Sequence, residues 1–189
     1  MAQTRRRGPV LEAALLDAVW AELEACGYDR LTMEAVAERA GTSRAVLYRR
    51  WPSRPELVIA AIRRHRPILS DEIPDTGSLR GDVLALLQRV SERLAEIGPE
   101  TVYGLIREYF GSAELFDVLN DQVLHISADV MTTILKRAAD RGEARPGISQ
   151  RVATVPTDLF RNELFRHRIP PGESVIAEII DEVFLPLVT

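Results

Sequence analysis

Apolar positions recur every three or four residues along most of the chain, which is the spacing of one face of a helix. The first such stretch predicts a helix from Pro9 to Cys26, and Gly27 is a typical stop signal. The next two stretches follow Thr32 and Ser43, residue types that favour the first position before a helix. The pattern is helical throughout and predicts an all-α protein of about nine helices.

Gly41 lies between the second and third of these helices, where the chain must turn sharply. The third helix is predicted over about 44–50. Ser53 followed by Glu56 matches the capping box that begins a helix, so a fourth helix is predicted over about 54–66. Two short helices joined by a glycine-containing turn and flanked by supporting helices make a helix-turn-helix.

A helix-turn-helix places its second helix in the major groove of DNA, with the N-terminal residues of that helix at the base edges. Val46 and Leu47 are predicted to face the supporting helices, because they are the apolar positions of the third helix. The remaining positions are therefore predicted to face DNA: Thr42, Ser43, Arg44, Ala45, Tyr48 and Arg49.

The distribution of charge supports this interpretation. The chain carries a net charge of −4, yet its first 66 residues hold 12 arginines and 8 acidic residues. Over residues 41–66, seven arginines stand against Glu56 alone. A local basic surface on an acidic protein suits a phosphate-bearing partner. The alternative is a solvated arginine face with no partner.

Composition changes after residue 66. Residues 67–78 hold two prolines, a glycine and three acidic residues, which is typical of a connection between domains. The sequence therefore predicts a DNA-binding domain over 1–66 and a second domain over 67–189. Further helices are predicted at 79–97, 100–110, about 114–142, 149–166 and 173–188.

The last two predicted helices have broad apolar faces. One such face fits a monomer core, and two are harder to bury in one chain. We therefore predict a twofold interface between two chains. It would also fix the spacing of their two DNA-binding domains, here called heads. Its residues are predicted to be Val155, Leu159, Leu164, Ile176, Ile179, Ile180, Val183 and Phe184.

Bulky residues on the central helices of the second domain are candidates for an effector pocket. Few charges fall among them, so a largely apolar ligand is expected. The alternative for each is ordinary core packing. The candidates are Tyr103, Tyr109, Phe110, Phe116, Met131, Leu135 and Phe160.

Other functional classes find little support. The sequence has no nucleophile elbow, phosphate-binding loop or zinc-protease motif, so no enzyme activity and no cofactor are predicted. A single cysteine and three scattered histidines give no basis for a metal site. There is no apolar run of membrane-spanning length, and a cytoplasmic location is expected. Attachment to a membrane surface fits the arginines but not the acidic polar face of the first helix.

The segment LTMEAVAERAGTSRAVLYRRWPSRPEL resembles the DNA-binding domain of the tetracycline-repressor (TetR) family of bacterial transcription regulators. The resemblance covers about residues 9–62 and combines A-x-x-A-G, L-Y, an aromatic residue and S-R-x-E-L at specific spacings. It implies an all-helical homodimer in two domains, whose divergent C-terminal domain binds a small effector and alters DNA affinity.

The resemblance also implies roles for single residues. Arg44 and Ala45 occupy base-reading positions, although for Arg44 a phosphate contact remains the alternative. Thr32 and Tyr48 occupy positions whose hydroxyls meet phosphates, and Arg54 replaces the usual lysine at the start of the fourth helix. Departures from the family pattern are Arg50 in place of histidine, Trp51 in place of phenylalanine and Pro55 in place of an acid. None of them removes positive charge, and Arg50 and Arg54 are both predicted to contact DNA.

The arginines at the N-terminus have two interpretations. They can form a disordered solvated tail, or they can enter an adjacent minor groove of DNA. The residues concerned are Arg5, Arg6 and Arg7.

The sequence as a whole predicts a ligand-responsive transcriptional regulator, most readily a repressor, which leaves a palindromic operator when its effector binds. The alternative is a helical ligand- or partner-binding protein whose DNA head is inactive. An inactive head is expected to lose Tyr48 or the basic residues around it, whereas this sequence keeps them.

Overall fold

The computed structural model describes residues 8–66, 73–109 and 128–189, and all regular secondary structure in these ranges is helical. The all-α prediction is confirmed. The described residues form two compact units, one of 8–66 with 100–109 and the other of 73–99 with 128–189. The helices are α1 Pro9–Cys26, α2 Met33–Arg39, α3 Arg44–Tyr48, α4 Arg54–His65, α5 Leu79–Ile97, α6 Pro99–Tyr109, α7 Ala128–Asp140, α8 Gln150–Ala153, α9 Val155–His167 and α10, which combines Glu173–Glu178, Ile179–Phe184 and Leu185–Val188.

Helix α1 is the centre of the first unit and packs against α2 and α4. Its bounds are those predicted from the sequence. Leu15 and Val19 lie on its inner face and are completely buried. The helix ends at Gly27, whose φ of 75° suits glycine, and the Gly27 N–H donates to the Leu23 carbonyl oxygen at 2.9 Å.

Helix α4 begins as its capping residues predict. The Ser53 hydroxyl oxygen accepts a hydrogen bond from the Glu56 backbone N–H at 3.4 Å. At the other end of the helix, the His65 ring stacks on Trp20 of α1 with 5.0 Å between ring centroids. Asp17 of α1 accepts a hydrogen bond from Arg64 at 2.8 Å. These polar and aromatic contacts join the end of α4 to α1.

Helix α6 contributes residues 100–109 to the first unit, although the sequence placed them with the second domain. The contact is built around Tyr28, which follows α1 and is 1% exposed. The Tyr28 ring lies directly against Gly104, where a β-carbon would come within 2.3 Å of Cδ1. Glycine at this position therefore lets the helix approach the tyrosine ring.

Gly104→Ala is expected to destabilise the first unit by about 1–3 kcal/mol, the usual cost of forcing extra volume into a packed core. Tyr28 is buried and cannot swing aside without moving its neighbours. Thermal unfolding of the variant measures the effect. Gly172→Ala is a matched control, because the space around Gly172 is open. Equal melting temperatures for the two variants would contradict the proposed close packing.

The second unit is organised around α5, which packs against α7 and α10. Its bounds were also predicted from the sequence. Leu87 and Leu94 of α5 are completely buried, as is Phe160 of α9. Arg80 and Asp181 form a two-pronged ion pair between α5 and α10, with both N···O distances at 2.7 Å. Apolar packing and a bidentate pair thus hold α10 against α5.

Helix α10 has two apolar stripes, and only one is fully used by the chain itself. Its middle turns, Ile179–Phe184, are π-helical, so the hydrogen bonds there skip one more residue than in an α-helix. Val183 and Leu187 lie on the second stripe and are 39% and 41% exposed. The first stripe is buried and consists of Ile176, Ile180, Phe184 and Val188.

The N-terminus of α5 is capped from two directions. The Ser78 hydroxyl oxygen accepts from the Gly81 N–H at 3.1 Å, and Glu143 accepts from the Leu79 N–H. Arg141 also donates to Glu143 at 2.7 Å. The backbone N–H of Leu79 and the guanidinium of Arg141 lower the pKa of Glu143 below its usual value of 4.5. Glu143 therefore joins the segment after α7 to the start of α5 as a carboxylate.

Because the pKa of Glu143 is lower in the folded state, protonation favours the unfolded chain. Its stabilising contribution is present above about pH 4.5 and is lost as the pH falls through the folded-state pKa. Thermal unfolding between neutral pH and about pH 3 measures this loss. Glu143→Gln cannot titrate, so its melting temperature is expected to fall less steeply than that of the wild type. Equal falls in melting temperature with pH for the variant and the wild type would contradict a stabilising role of the Glu143 carboxylate.

Candidate nucleic-acid interface

The turn between α2 and α3 brings the third helix to the surface in a fixed orientation. Gly41 has a φ of 64°, and the Thr42 N–H donates to the Ala37 carbonyl oxygen at 2.9 Å. Helix α3 has only five residues, and Leu47 anchors it as a completely buried side chain. Val46 is half-buried. The apolar side of α3 thus faces the supporting helices, as the sequence predicts.

The opposite side of α3 is open to solvent. Tyr48 is 47% exposed. The Ser43 side chain makes no capping hydrogen bond, although Ser43 holds the N-cap position of α3. Thr42 is half-buried. The exposed residues of this face, here called the α3 surface, are Ser43, Arg44, Ala45, Tyr48 and Arg49.

Thr32 holds the N-cap of α2. Its hydroxyl oxygen accepts a hydrogen bond from the Ala35 N–H at 3.1 Å. The hydroxyl proton of Thr32 is not used in that bond, and the residue is exposed. A threonine in this arrangement can donate to a phosphate oxygen while it caps the helix.

Most of the arginines of residues 41–66 are paired with acidic residues outside that range. Arg44 pairs with Glu34 of α2 at 2.6 Å, and Arg50 pairs with Glu12 of α1 at 2.9 Å. The hydrogen bond from Arg64 lowers the pKa of its partner Asp17 below the usual value of 3.8. The excess of positive charge over residues 41–66 is therefore partly neutralised in space, which the sequence interpretation did not foresee.

Arg54, which is also predicted to contact DNA, makes several contacts within the first unit. It is half-buried, and its guanidinium lies over the Tyr28 ring at 4.5 Å from the centroid. It donates to the Leu31 carbonyl oxygen at 3.2 Å and pairs with Glu108 of α6. The guanidinium thus joins the loop after α1 to α4 and α6.

Arg49 differs from these paired arginines. It is exposed, and no acidic side chain within the described ranges forms an ion pair with it. Arg49 is therefore a cation of the α3 surface that remains available to a partner. The three N-terminal arginines, Arg5, Arg6 and Arg7, lie outside the described residues.

The predicted pocket residues are divided between the two units. Met131, Leu135 and Phe160 belong to the second unit and are 1%, 6% and 0% exposed. Tyr103 belongs to the first unit and is half-buried. The remaining candidates, namely the side chain of Tyr109 with Phe110 and Phe116, lie outside the described residues.

Most residues predicted for the dimer interface are used inside the chain, because α9 and α10 pack against each other. Val155 and Leu159 are half-buried, and Val183 is exposed. Both apolar faces are thus partly buried by the chain itself, and the twofold interface stays a prediction. The predicted interface residues that are buried in the core of the second unit are Leu164, Ile176, Ile179, Ile180 and Phe184.

The sequence did not reveal the acidic partners. Glu12 and Asp17 lie on the polar face of α1 and resemble any solvated carboxylates. Glu108 is separated from Arg54 by 54 positions, and no local pattern connects them. Glu34 also had no local signal, since it lies ten positions before Arg44.

A short helix follows a glycine turn, is held by one buried side chain and exposes polar residues at its N-terminal end. This arrangement defines a helix-turn-helix DNA-binding protein. Residues 15–61 match the family described as bacterial regulatory proteins, tetR family. Residues 73–183 match the tetracyclin repressor-like C-terminal domain. The chain belongs to the TetR family of bacterial transcription regulators.

Individual relatives agree with this assignment. An uncharacterised HTH-type transcriptional regulator of Mycobacterium bovis is 35% identical over 94% of this chain and 88% of its own length. The DNA-binding transcriptional repressor TetR of Mycobacteroides abscessus is 32% identical over 96% of both chains. The crystal structure of the TetR family regulator SCO0332 has the same fold, with a TM-score of 0.66, 24% identity and coverage of 95% and 98%.

Membership in this family establishes a transcriptional regulator that binds DNA and is not an enzyme. Regulators of the family also bind effectors and function as dimers. Within the described ranges, no helix has both the length and the apolar composition needed to cross a membrane.

Proposed function

We propose that this protein is a cytoplasmic repressor that binds a palindromic DNA operator as a homodimer and is released by a small, mostly apolar effector. Release requires that the effector bind more tightly to a state whose two heads do not match the operator, because only differential affinity shifts such an equilibrium.

The observation that carries the DNA-binding proposal is the exposed α3 surface above a buried anchor. Leu47 fixes the helix from beneath, while Arg44 and Arg49 are presented to solvent with Tyr48 beside them. The Thr32 hydroxyl lies at the start of the preceding helix. This combination supplies donors for base edges and phosphates.

Binding-site selection from random duplex DNA with the purified protein tests the proposal. We expect enrichment of a palindrome, because a twofold dimer presents two equivalent heads. A salt titration of the enriched site should show a steep loss of affinity. Failure to enrich any sequence at low salt would overturn the proposal and favour a helical binding protein with an inactive head.

Arg49→Ala is expected to weaken binding to all sequences to a similar extent and to reduce the salt slope by about 1, as for loss of one phosphate contact. The measurement is affinity for the selected site and for random DNA over a range of salt concentrations. Arg166→Ala is the control, because Arg166 is exposed but lies on α9 of the second unit. An unchanged salt slope in Arg49→Ala would contradict a phosphate contact.

The exposed stripe of α10 supports the homodimer proposal. Val183 and Leu187 leave apolar surface uncovered by their own chain, and the half-buried Val155 and Leu159 add to it on α9. Native mass at micromolar protein concentration is expected to be twice the 21.1 kDa of one chain. A mass of one chain would overturn the proposal.

The apolar character of the proposed effector rests on Met131, Leu135 and Phe160, which make the centre of the second unit hydrophobic. Thermal unfolding with a panel of hydrophobic compounds tests it. A saturable rise in melting temperature, together with release from the selected DNA, is expected for an effector. Absence of any such shift across the panel would refute an apolar effector.

A further inference from the structure

The ion pair between Glu34 and Arg44 lies at the α3 surface. Glu34 is in the first turn of α2, and Arg44 is the first residue of α3. The Nη1 atom of Arg44 donates to Oε1 of Glu34 at 2.6 Å. Both side chains are exposed, at 63% for Arg44 and 55% for Glu34. The pair is therefore accessible to DNA that approaches α3.

The atom used in this pair decides what the rest of the guanidinium can do. Arginine has five N–H donors in a rigid plane, and Nε with Nη2 forms a side-on fork. Glu34 occupies Nη1, so it leaves that fork open. A guanine presents O6 and N7 side by side in the major groove, which is the pattern that an arginine fork matches.

The pairing also limits the alternatives open to Arg44. Its long side chain has many rotamers in solution, and a contact made before DNA arrives reduces the ordering needed on binding. A carboxylate beside the guanidinium disfavours a nearby phosphate, since both are negatively charged. The hydrogen bond from Arg44 lowers the pKa of Glu34, so Glu34 is negatively charged at neutral pH.

We propose that Glu34 is a specificity-determining residue, which holds Arg44 through Nη1 and presents its Nε–Nη2 fork to a guanine rather than to phosphate. The inference rests on the proposed operator binding. Exposed ion pairs contribute little to folding stability. The effect of Glu34 is therefore expected in sequence preference and not in the melting temperature.

The test compares Glu34→Ala with Glu38→Ala. Glu38 is an exposed acid one turn further along α2, so both variants remove one negative charge from the same helix. Arg44→Ala first identifies the base pair whose preference depends on Arg44. Affinities for the selected operator, for operators altered at that base pair and for random DNA are then measured for every variant.

Both glutamate variants are expected to bind random DNA more tightly, because each removes a charge that repels phosphates. Of the two, only Glu34→Ala is expected to lose discrimination at the Arg44-dependent base pair, by about three- to tenfold. The Arg44→Ala/Glu34→Ala double variant should lose no more discrimination than Arg44→Ala. Glu34→Gln, which keeps an acceptor oxygen, should recover part of the preference and guards against a folding defect in Glu34→Ala.

Three results would overturn the inference. Full discrimination in Glu34→Ala, or equal losses in Glu34→Ala and Glu38→Ala, would show that Glu34 does not position Arg44. An Arg44→Ala variant that keeps the wild-type preference at every base pair would show that Arg44 does not read a base. These outcomes leave operator binding by the wild type intact, whereas a wild type that selects no sequence would refute the proposed function itself.

Discussion

Leu47→Ala is expected to lower the melting temperature by about 10 °C and to abolish operator binding. The side chain is completely buried and is the anchor of α3. Truncation of a buried leucine costs about 2–5 kcal/mol, and for a chain of this size each kcal/mol corresponds to about 2–4 °C. A helix of five residues cannot persist alone in water, so α3 depends on this contact for its position.

Loss of operator binding because α3 is misplaced must be distinguished from loss of binding because one DNA contact is missing. Tyr48→Phe is the matched control, because Tyr48 is one residue further along and 47% exposed. It removes only a hydroxyl group, so the melting temperature should remain that of the wild type while operator affinity falls. Calorimetry and a DNA-binding titration measure the two quantities. Wild-type stability in Leu47→Ala would show that α3 is held by other contacts.

Asp82→Ala is expected to destabilise the second unit by about 1–3 kcal/mol, the usual cost of removing a buried hydrogen-bond partner. Asp82 lies in the first turn of α5 and is completely buried. Its carboxylate accepts hydrogen bonds from the backbone N–H and the hydroxyl of Thr76 and from Arg141, whose Nη2 is at 3.1 Å. The variant removes a completely buried acceptor from these donors, whereas Thr76 and Arg141 themselves are exposed.

Asp75→Ala is the control for this prediction. Asp75 also lies close to Arg141, at 3.7 Å, and is 3.8 Å from Arg137, but its side chain is 60% exposed. Exposed pairs contribute between about 0 and 1 kcal/mol, so only a small change in melting temperature is expected. If both aspartate variants melt at the wild-type temperature, the buried network does not stabilise the fold.

The helices could be predicted from the sequence wherever local signals decide them. Gly27 ends α1 and Ser53 begins α4 because the chemistry of a helix end depends on one or two residues. Ser78 caps the start of α5 in the same way, although only the bounds of that helix were predicted. The position of the α3 surface was also predictable, since Leu47 is the apolar anchor of a motif with a fixed geometry.

The remaining features depend on residues that meet only after folding. Arg54 and Glu108 are far apart in the chain, so no local pattern could predict their ion pair. The buried stripe of α10 was predicted as an interface because an apolar helix face has the same pattern whether its own chain or a partner covers it. Ile180 is an example, with no exposed surface left in the single chain.

The packing of α6 against Tyr28 affects how the DNA-binding head can be exchanged between proteins. A fragment that ends at residue 66 lacks Gly104 and Glu108, and it therefore leaves the Tyr28 ring uncovered and Arg54 without its carboxylate. The DNA-binding head is therefore formed by two separate parts of the chain, and the second part, α6, follows α5. Chimaeric regulators that join a foreign head at residue 66 must match α6 to that head, which makes the recombination boundary of this protein different from its apparent domain boundary.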